Sequence, residues 1–254
     1  VPIVHVPYHQ DERLPPRDIP LAGTPRVTVD PGLPEGDLWE RLGELHDATA
    51  DAVAGIAGTG AVPTVVSGDC LTMLGTVTGL RRAGADPAVV WLDAHGDVHT
   101  LDSSTSGYPG GMALRFLLGA LPDPVAARLA TSPVAEDRVL LVDARDLDPA
   151  EETYLATAGI RRCSVPALGP DTVPDGALVL HVDVDVIDEA EVPGLRFPVT
   201  GGPSGEAVLA AVRRVLGTGR VAAFDIACPW HPAEGEEAAA RRAALLATLT
   251  TLSA

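Results

Sequence analysis

Asp93, His95 and Asp97, three residues with metal-ligand chemistry, stand at alternate positions where the apolar run PAVVWLD (87–93) gives way to Asp-Ala-His-Gly-Asp. Alternate residues of an extended chain project to one side, so two carboxylates and an imidazole would face the same space. A buried carboxylate is costly unless a cation, a proton or a hydrogen bond compensates it. Further along, ALVLHVDVDV (177–186) brings Asp183 and Asp185 together by the same alternation. Four carboxylates and an imidazole form a hard, oxygen-rich donor set of the kind that suits Mn²⁺, or a pair of such ions bridged by shared carboxylates. Two bridged ions can hold a hydroxide at neutral pH and present it as a nucleophile. The expected cofactor is therefore Mn²⁺, as one ion or as a bridged pair.

These residues need elements to position them. Apolar runs of strand length recur at 1–8, 61–67, 87–93, 138–144, 177–186 and 220–227. Between them, helical spacing marks 38–57, 70–84, 109–121, 149–159, 204–217 and 234–252. Continuous apolar strands alternating with helices predict a parallel sheet covered on both faces. Ligands gather at the carboxyl ends of such strands. The polar residues collect there too, in SGDC (67–70), DAHGD (93–97), DVDVID (183–188) and DIACPWH (225–231). No repeat, linker or low-complexity block interrupts the pattern, so residues 1–254 read as one domain.

Composition narrows the function classes. A hydrophobic content of 46% permits a sizeable core, and with 4% aromatic residues that core must be aliphatic. A formal net charge of −17 argues against nucleic acid and against an anionic membrane surface. No apolar run reaches membrane-spanning length, and VPIVHVPYHQDE lacks a charged region followed by an apolar core. Cys70, Cys163 and Cys228 are odd in number and widely spaced, which indicates no disulfide framework. The expected location is the cytoplasm.

The joint pattern resembles the arginase/agmatinase superfamily, the ureohydrolases, whose signatures are D-A-H-x-D, a later D-x-D-x-x-D and an upstream G-G-D-H. Here these read WLDAHGD (91–97), HVDVDVID (181–188) and SGDC (67–70), with further likeness in SGYPGGMALRFLLG (106–119) and ARDLDPAEETYLATAGI (144–160). The resemblance implies a three-layer α/β/α sandwich around a mostly parallel sheet. It implies that Asp93 and Asp183 bridge both metals, that His95 and Asp185 complete one, and that Asp97 binds the other and orients the nucleophile. By the same resemblance His99, Thr100, Ser106 and Tyr108 line the pocket for the polar tail of a small guanidine or amidine substrate, and a homo-oligomer is compatible with the family.

The departures bear on substrate. Cys70 stands where the superfamily holds a metal-binding His, and a thiolate fits Mn²⁺ less well than imidazole. Gly110 stands where arginases place a proton-shuttling His, and His99 is the expected replacement. Cys228 falls where arginases grip the guanidinium with a Glu, and so becomes a candidate substrate contact. Cys70 with the Gly-Tyr-x-Gly-Gly-Met segment resembles the N-omega-hydroxyarginine hydrolase branch, whose substrate is less basic. The competing expectation is a degenerate binding or regulatory protein with one metal or none; a one-metal amide hydrolase leaves Asp97 and Asp185 unexplained. Outside this set, Cys163 reads as structural, His46 as a surface residue of a helix, and His181 as support for Asp183.

Overall fold

A computed structural model describes residues 1–23 and 25–252. Eight strands form the central sheet: β1 (Ile3–Val6), β4 (Val27–Thr28), β5 (Thr64–Ser67), β6 (Ala88–Asp93), β7 (Val139–Asp143), β8 (Arg161–Cys163), β9 (Leu178–Asp183) and β10 (Val221–Ala227). Their spatial order is β4-β1-β5-β10-β9-β6-β7-β8, and every pairing within the sheet is parallel. A short antiparallel ribbon, β2 (Tyr8–His9) with β3 (Glu12–Arg13), follows β1. The chain leaves β5, jumps to β6, builds outward through β7 and β8, then returns to fill the middle with β9 and β10. That reversal leaves the ends of β5, β10, β9 and β6 side by side, where parallel sheets bind ligands.

The strands are buried on both faces, which their continuous apolar runs require. On one face Val65, Val89, Trp91 and Val179 pack under α1 (Leu38–Ala57) and α2 (Met73–Arg82), using Leu42, Leu45, Val53, Leu74 and Val77. On the other, Val90, Leu92, Leu180, Val182, Phe224 and Ile226 pack under α6 (Gly205–Leu216) and α7 (Glu236–Thr251), using Val208, Val212, Leu246 and Leu249. Each such aliphatic side chain contributes about 1.5–3 kcal/mol on burial. This is the expected three-layer α/β/α sandwich. Among the described residues no helix is long and apolar enough to cross a membrane.

Two expectations change. The segment 109–121 is not one helix: a 3₁₀ turn at Pro109–Met112 leads into α3 (Ala113–Arg115) and a wide turn at Phe116–Ala120. Gly119 ends it with φ 110°, a conformation closed to other residues. The remaining helices, α4 (Asp123–Leu129) and α5 (Pro149–Leu155), are short, and α4 offers too few turns for its periodicity to show. His46, expected at the surface of α1, is 1% exposed, because α2 and α4 cover that helix.

Candidate metal centre

A cavity of about 430 Å³ opens over the carboxyl ends of the central strands. Cys70, Asp93, His95, Asp97, Asp183 and Asp185 all line it, together with His99, Ser106, Tyr108 and Gly110. Strand register brings them together: Leu92 pairs with Val182, and Asp183 with Ala227, so Asp93 and Asp183 end adjacent strands at one level. Asp93 Oδ1 accepts from the His95 backbone N–H at 2.8 Å, and Asp183 Oδ1 accepts from that of Asp185 at 2.9 Å. His95 Nδ1 lies 3.3 Å from Asp93 Oδ1 and 3.2 Å from Asp185 Oδ2. Cys70 Sγ donates to Asp183 Oδ2 at 2.8 Å.

The electrostatics ask for a cation. Burial, with Asp93 adding to it, pushes Asp97 well above the usual carboxylate range. Burial with Asp185 and Asp93 does the same to Asp183, and burial with Asp93 raises Asp185 to about 6. Burial opposes charge on His95, yet hydrogen bonds to Asp185 and Asp93 push it up to about 12. Burial works to raise Asp93 as well, but its hydrogen bond to His95 prevails and lowers it. Among the described residues, the His95 ring is the cationic group in direct contact with Asp93 and Asp185. A divalent ion would supply that charge directly, and the donor set fits one. Asp93, His95 and Asp185 each place a donor atom within 4.8 Å of the others.

Neighbouring elements fix the loop. Asp97 sits at φ 52°, uncommon outside glycine, and such strain persists only where surroundings impose it. Its carbonyl accepts from Arg115 N at 2.9 Å, while Val98 N donates to Glu151 Oε1 at 3.2 Å and His99 N to Gly111 O at 3.1 Å. Arg145 reaches across from β7: its guanidinium bonds the Asp143 carboxylate, Val186 O at 3.0 Å, Asp185 O at 3.3 Å and Val199 O at 3.0 Å. It thereby clamps the turn that carries Asp185.

The expected substrate residues divide. His99 lines the cavity with Nδ1 3.1 Å from Ser103 Oγ and Nε2 3.0 Å from Asp148 Oδ2, so both ring nitrogens are engaged. Tyr108 and Ser106 also line it. Thr100 does not: its Oγ1 accepts from Ser103 N at 3.2 Å and closes a turn. Cys228 does not either, being 0% exposed. Alternation along β10 sends Phe224, Ile226 and Cys228 into the core beneath α6 and α7, whereas Asp225 and Ala227 take the other face. The position compared with a guanidinium-gripping Glu thus packs away from the pocket.

Other cavity residues were not singled out by type, although Asp69 lies in SGDC and Asp146, Asp148 and Glu151 lie in ARDLDPAEETYLATAGI. Asp69, Asp146, Asp148, Glu151, Arg196 and Phe197 line it too. Asp148 and Glu151 form a capping box on α5, readable in D-P-A-E. Arg196 and Phe197 come from the irregular segment between β9 and α6, which carries no periodic signal. A Cβ built at Gly110 would overlap the Tyr108 ring, so the phenol occupies the space a side chain there would need. His9 stands behind that phenol, its ring stacked at 5.9 Å and its Nε2 3.5 Å from the hydroxyl.

The sequence matches the arginase family over residues 7–251. It is 32% identical over 203 residues to an arginase of Eremothecium gossypii, covering 73% of this chain and 50% of that protein. It is 30% identical over 203 residues to Homo sapiens arginase-1, covering 73% of this chain and 63% of that one. The chain thus spans between half and two thirds of the length of these curated relatives. The structure superposes on that of Bacillus caldovelox arginase with a TM-score of 0.81 at 24% identity, covering 99% of this chain and 96% of the other, a likeness of fold. With the paired acidic motifs at adjacent strand ends of such a sheet, the match over nearly the whole length places the chain in the arginase family.

Proposed function

We propose that the chain is a divalent-metal hydrolase of a carbon–nitrogen bond in a linear guanidine or amidine, releasing urea or a related small product. The observation that carries this reading is the convergence of Asp93, Asp97, Asp183, Asp185 and His95 on one cavity floor. In this reading Asp93, Asp183, His95, Asp185 and Asp97 would hold the ions. Bound divalent ions, Mn²⁺ in the first instance, would supply a hydrolytic nucleophile at neutral pH. Asp97 would hold and orient it by accepting its hydrogen bond.

A proton must then reach the departing nitrogen. The Tyr108 hydroxyl, seated over Gly110 and backed by His9, fits this better than His99, whose ring is tied to Ser103 and Asp148. For the substrate's tail, Arg196 lines the cavity with its Nε buried and unpartnered among the described residues, and would receive a carboxylate. Asp146 and Asp148, exposed on the same cavity, would receive an ammonium. These groups favour an amino-acid guanidine. With Cys228 packed away from the pocket, a hydroxyguanidine of lower basicity is the preferred class.

The test is urea release from a panel of guanidino and N-hydroxyguanidino amino acids by the Mn²⁺-loaded chain and by Asp97→Asn. Turnover by the wild type alone is expected. Metal binding without turnover on any member would favour the binding-protein reading.

A further inference from the structure

His181 lies wholly inside the sheet, yet one of its ring nitrogens has no hydrogen-bond partner among the described residues. Register places Trp91, His181 and Asp225 side by side on β6, β9 and β10, all on the face toward α2. Asp225 Oδ1 lies 2.8 Å from His181 Nδ1, and Asp225 Oδ2 accepts from Thr76 Oγ1 at 2.6 Å. A carboxylate in that position accepts, so Nδ1 carries a hydrogen, and in a neutral ring Nε2 then holds the lone pair. Nε2 is buried without a hydrogen-bond partner among the described residues. The His181 ring is 0% exposed and packs on Trp91 with centroids 4.0 Å apart. Trp91 in turn donates Nε1–H to Asp93 Oδ2 at 3.0 Å.

Cys70, Asp93 and His181 each offer a donor atom within 4.8 Å of the other two, and all three are buried. This triad shares Asp93 with the group formed by Asp93, His95 and Asp185 on the other side. A histidine whose second nitrogen is held by a carboxylate is the arrangement that fixes the tautomer and direction of a metal-binding imidazole.

We infer that His181 Nε2, with Cys70 Sγ and Asp93, forms a metal position of sulfur, nitrogen and oxygen donors that takes a softer ion such as Zn²⁺ or Co²⁺. The imidazole that the Cys70 position lacks is supplied from inside β9. The two positions of the centre then differ in kind: the Asp93–His95–Asp185 side suits Mn²⁺, whereas thiolate with imidazole suits zinc. The inference rests on the metal centre of the proposed function and not on its substrate.

The experiment titrates metal-free protein with Co²⁺ and follows the near-ultraviolet thiolate-to-cobalt charge-transfer band, in the wild type and in Cys70→Ser, His181→Gln and Asp185→Asn. The expected wild-type result is a band that saturates with one equivalent. It should vanish in Cys70→Ser, weaken in affinity by at least about 10²-fold in His181→Gln, and persist in Asp185→Asn. Zn²⁺ should displace Co²⁺ from this position more readily than Mn²⁺ does. Nitrogen-15 spectra of histidine-labelled wild type, which need no variant, should show the His181 Nε2 resonance move on Zn²⁺ binding. Cobalt bound with no charge-transfer band, or an unmoved Nε2 resonance in the zinc-loaded protein, would overturn the inference. Two Mn²⁺ ions with urea release and an indifferent His181→Gln would sink this ligand set alone. The band with no urea release would sink the hydrolase reading alone.

Discussion

The two sides of the cavity floor are built by different means. On the β6 side, Asp93, His95 and Asp97 come from five consecutive positions of one loop, and their geometry follows from a strand end and a strained turn. On the β5 side, Cys70 begins a 3₁₀ turn, His181 lies within β9, Asp225 comes from β10 and Thr76 from α2. The first side is set largely by local spacing, with Asp185 added from the end of β9, and the second by register across three strands. The side built mainly from one loop depends on fewer strands than the side assembled from register, which needs β6, β9 and β10 all in place.

Substitutions test that contrast. Asp93→Ala should have the largest effect, abolishing binding of both ions and all turnover, since Asp93 belongs to both groups; elemental analysis and a urea assay would check it. Retained binding on either side would mean the sides are independent. Asp97→Asn should lower kcat by about 10²–10⁴-fold while the fold, followed by circular dichroism, stays intact. Arg145→Ala removes the clamp on the Asp185 turn and should cost roughly 3 kcal/mol in denaturant unfolding, with weaker metal binding on the β6 side and little change at Cys70. Tyr108→Phe keeps the ring over Gly110 and removes only the hydroxyl, so kcat should fall by about 10²-fold with KM nearly unchanged.

The smallest effect on the site is expected at His46, a buried histidine outside the cavity that serves as a reference. Both its ring nitrogens are unpartnered among the described residues, and burial depresses its pKa to about 3. Between about pH 6.5 and 3 the unfolded chain binds a proton there that the native chain does not, so His46 makes stability fall as pH falls through that window. Fully expressed, the shift corresponds to up to about 5 kcal/mol. His46→Phe should flatten the Tm-versus-pH curve below pH 6.5 and leave metal binding untouched. An unaltered curve would mean the ring finds a partner in solution.

What could be read from the sequence divides along the same line. DAHGD and DVDVID were legible because metal chemistry repeats at short spacing, and α1, α6 and α7 because their apolar positions recur over several turns. His181 facing Asp225 was not legible, because parallel register cannot be counted along the chain. The burial of Cys228 was within reach: it alternates with Asp225 and Ala227, and that parity alone turns it from the cavity. Tyr108 over Gly110 was hidden by the break of 109–121 into short turns, where no period aims a side chain.

Counting ions and product together decides whether the cavity floor is a hydrolytic metal centre. Metal-free chain is incubated with Mn²⁺, with and without Zn²⁺, freed of excess metal, and assayed for metal per chain and urea release from an N-hydroxyguanidino amino acid. Two bound ions and urea release that Asp97→Asn loses are the expected result. A chain that binds no metal under either condition would contradict it.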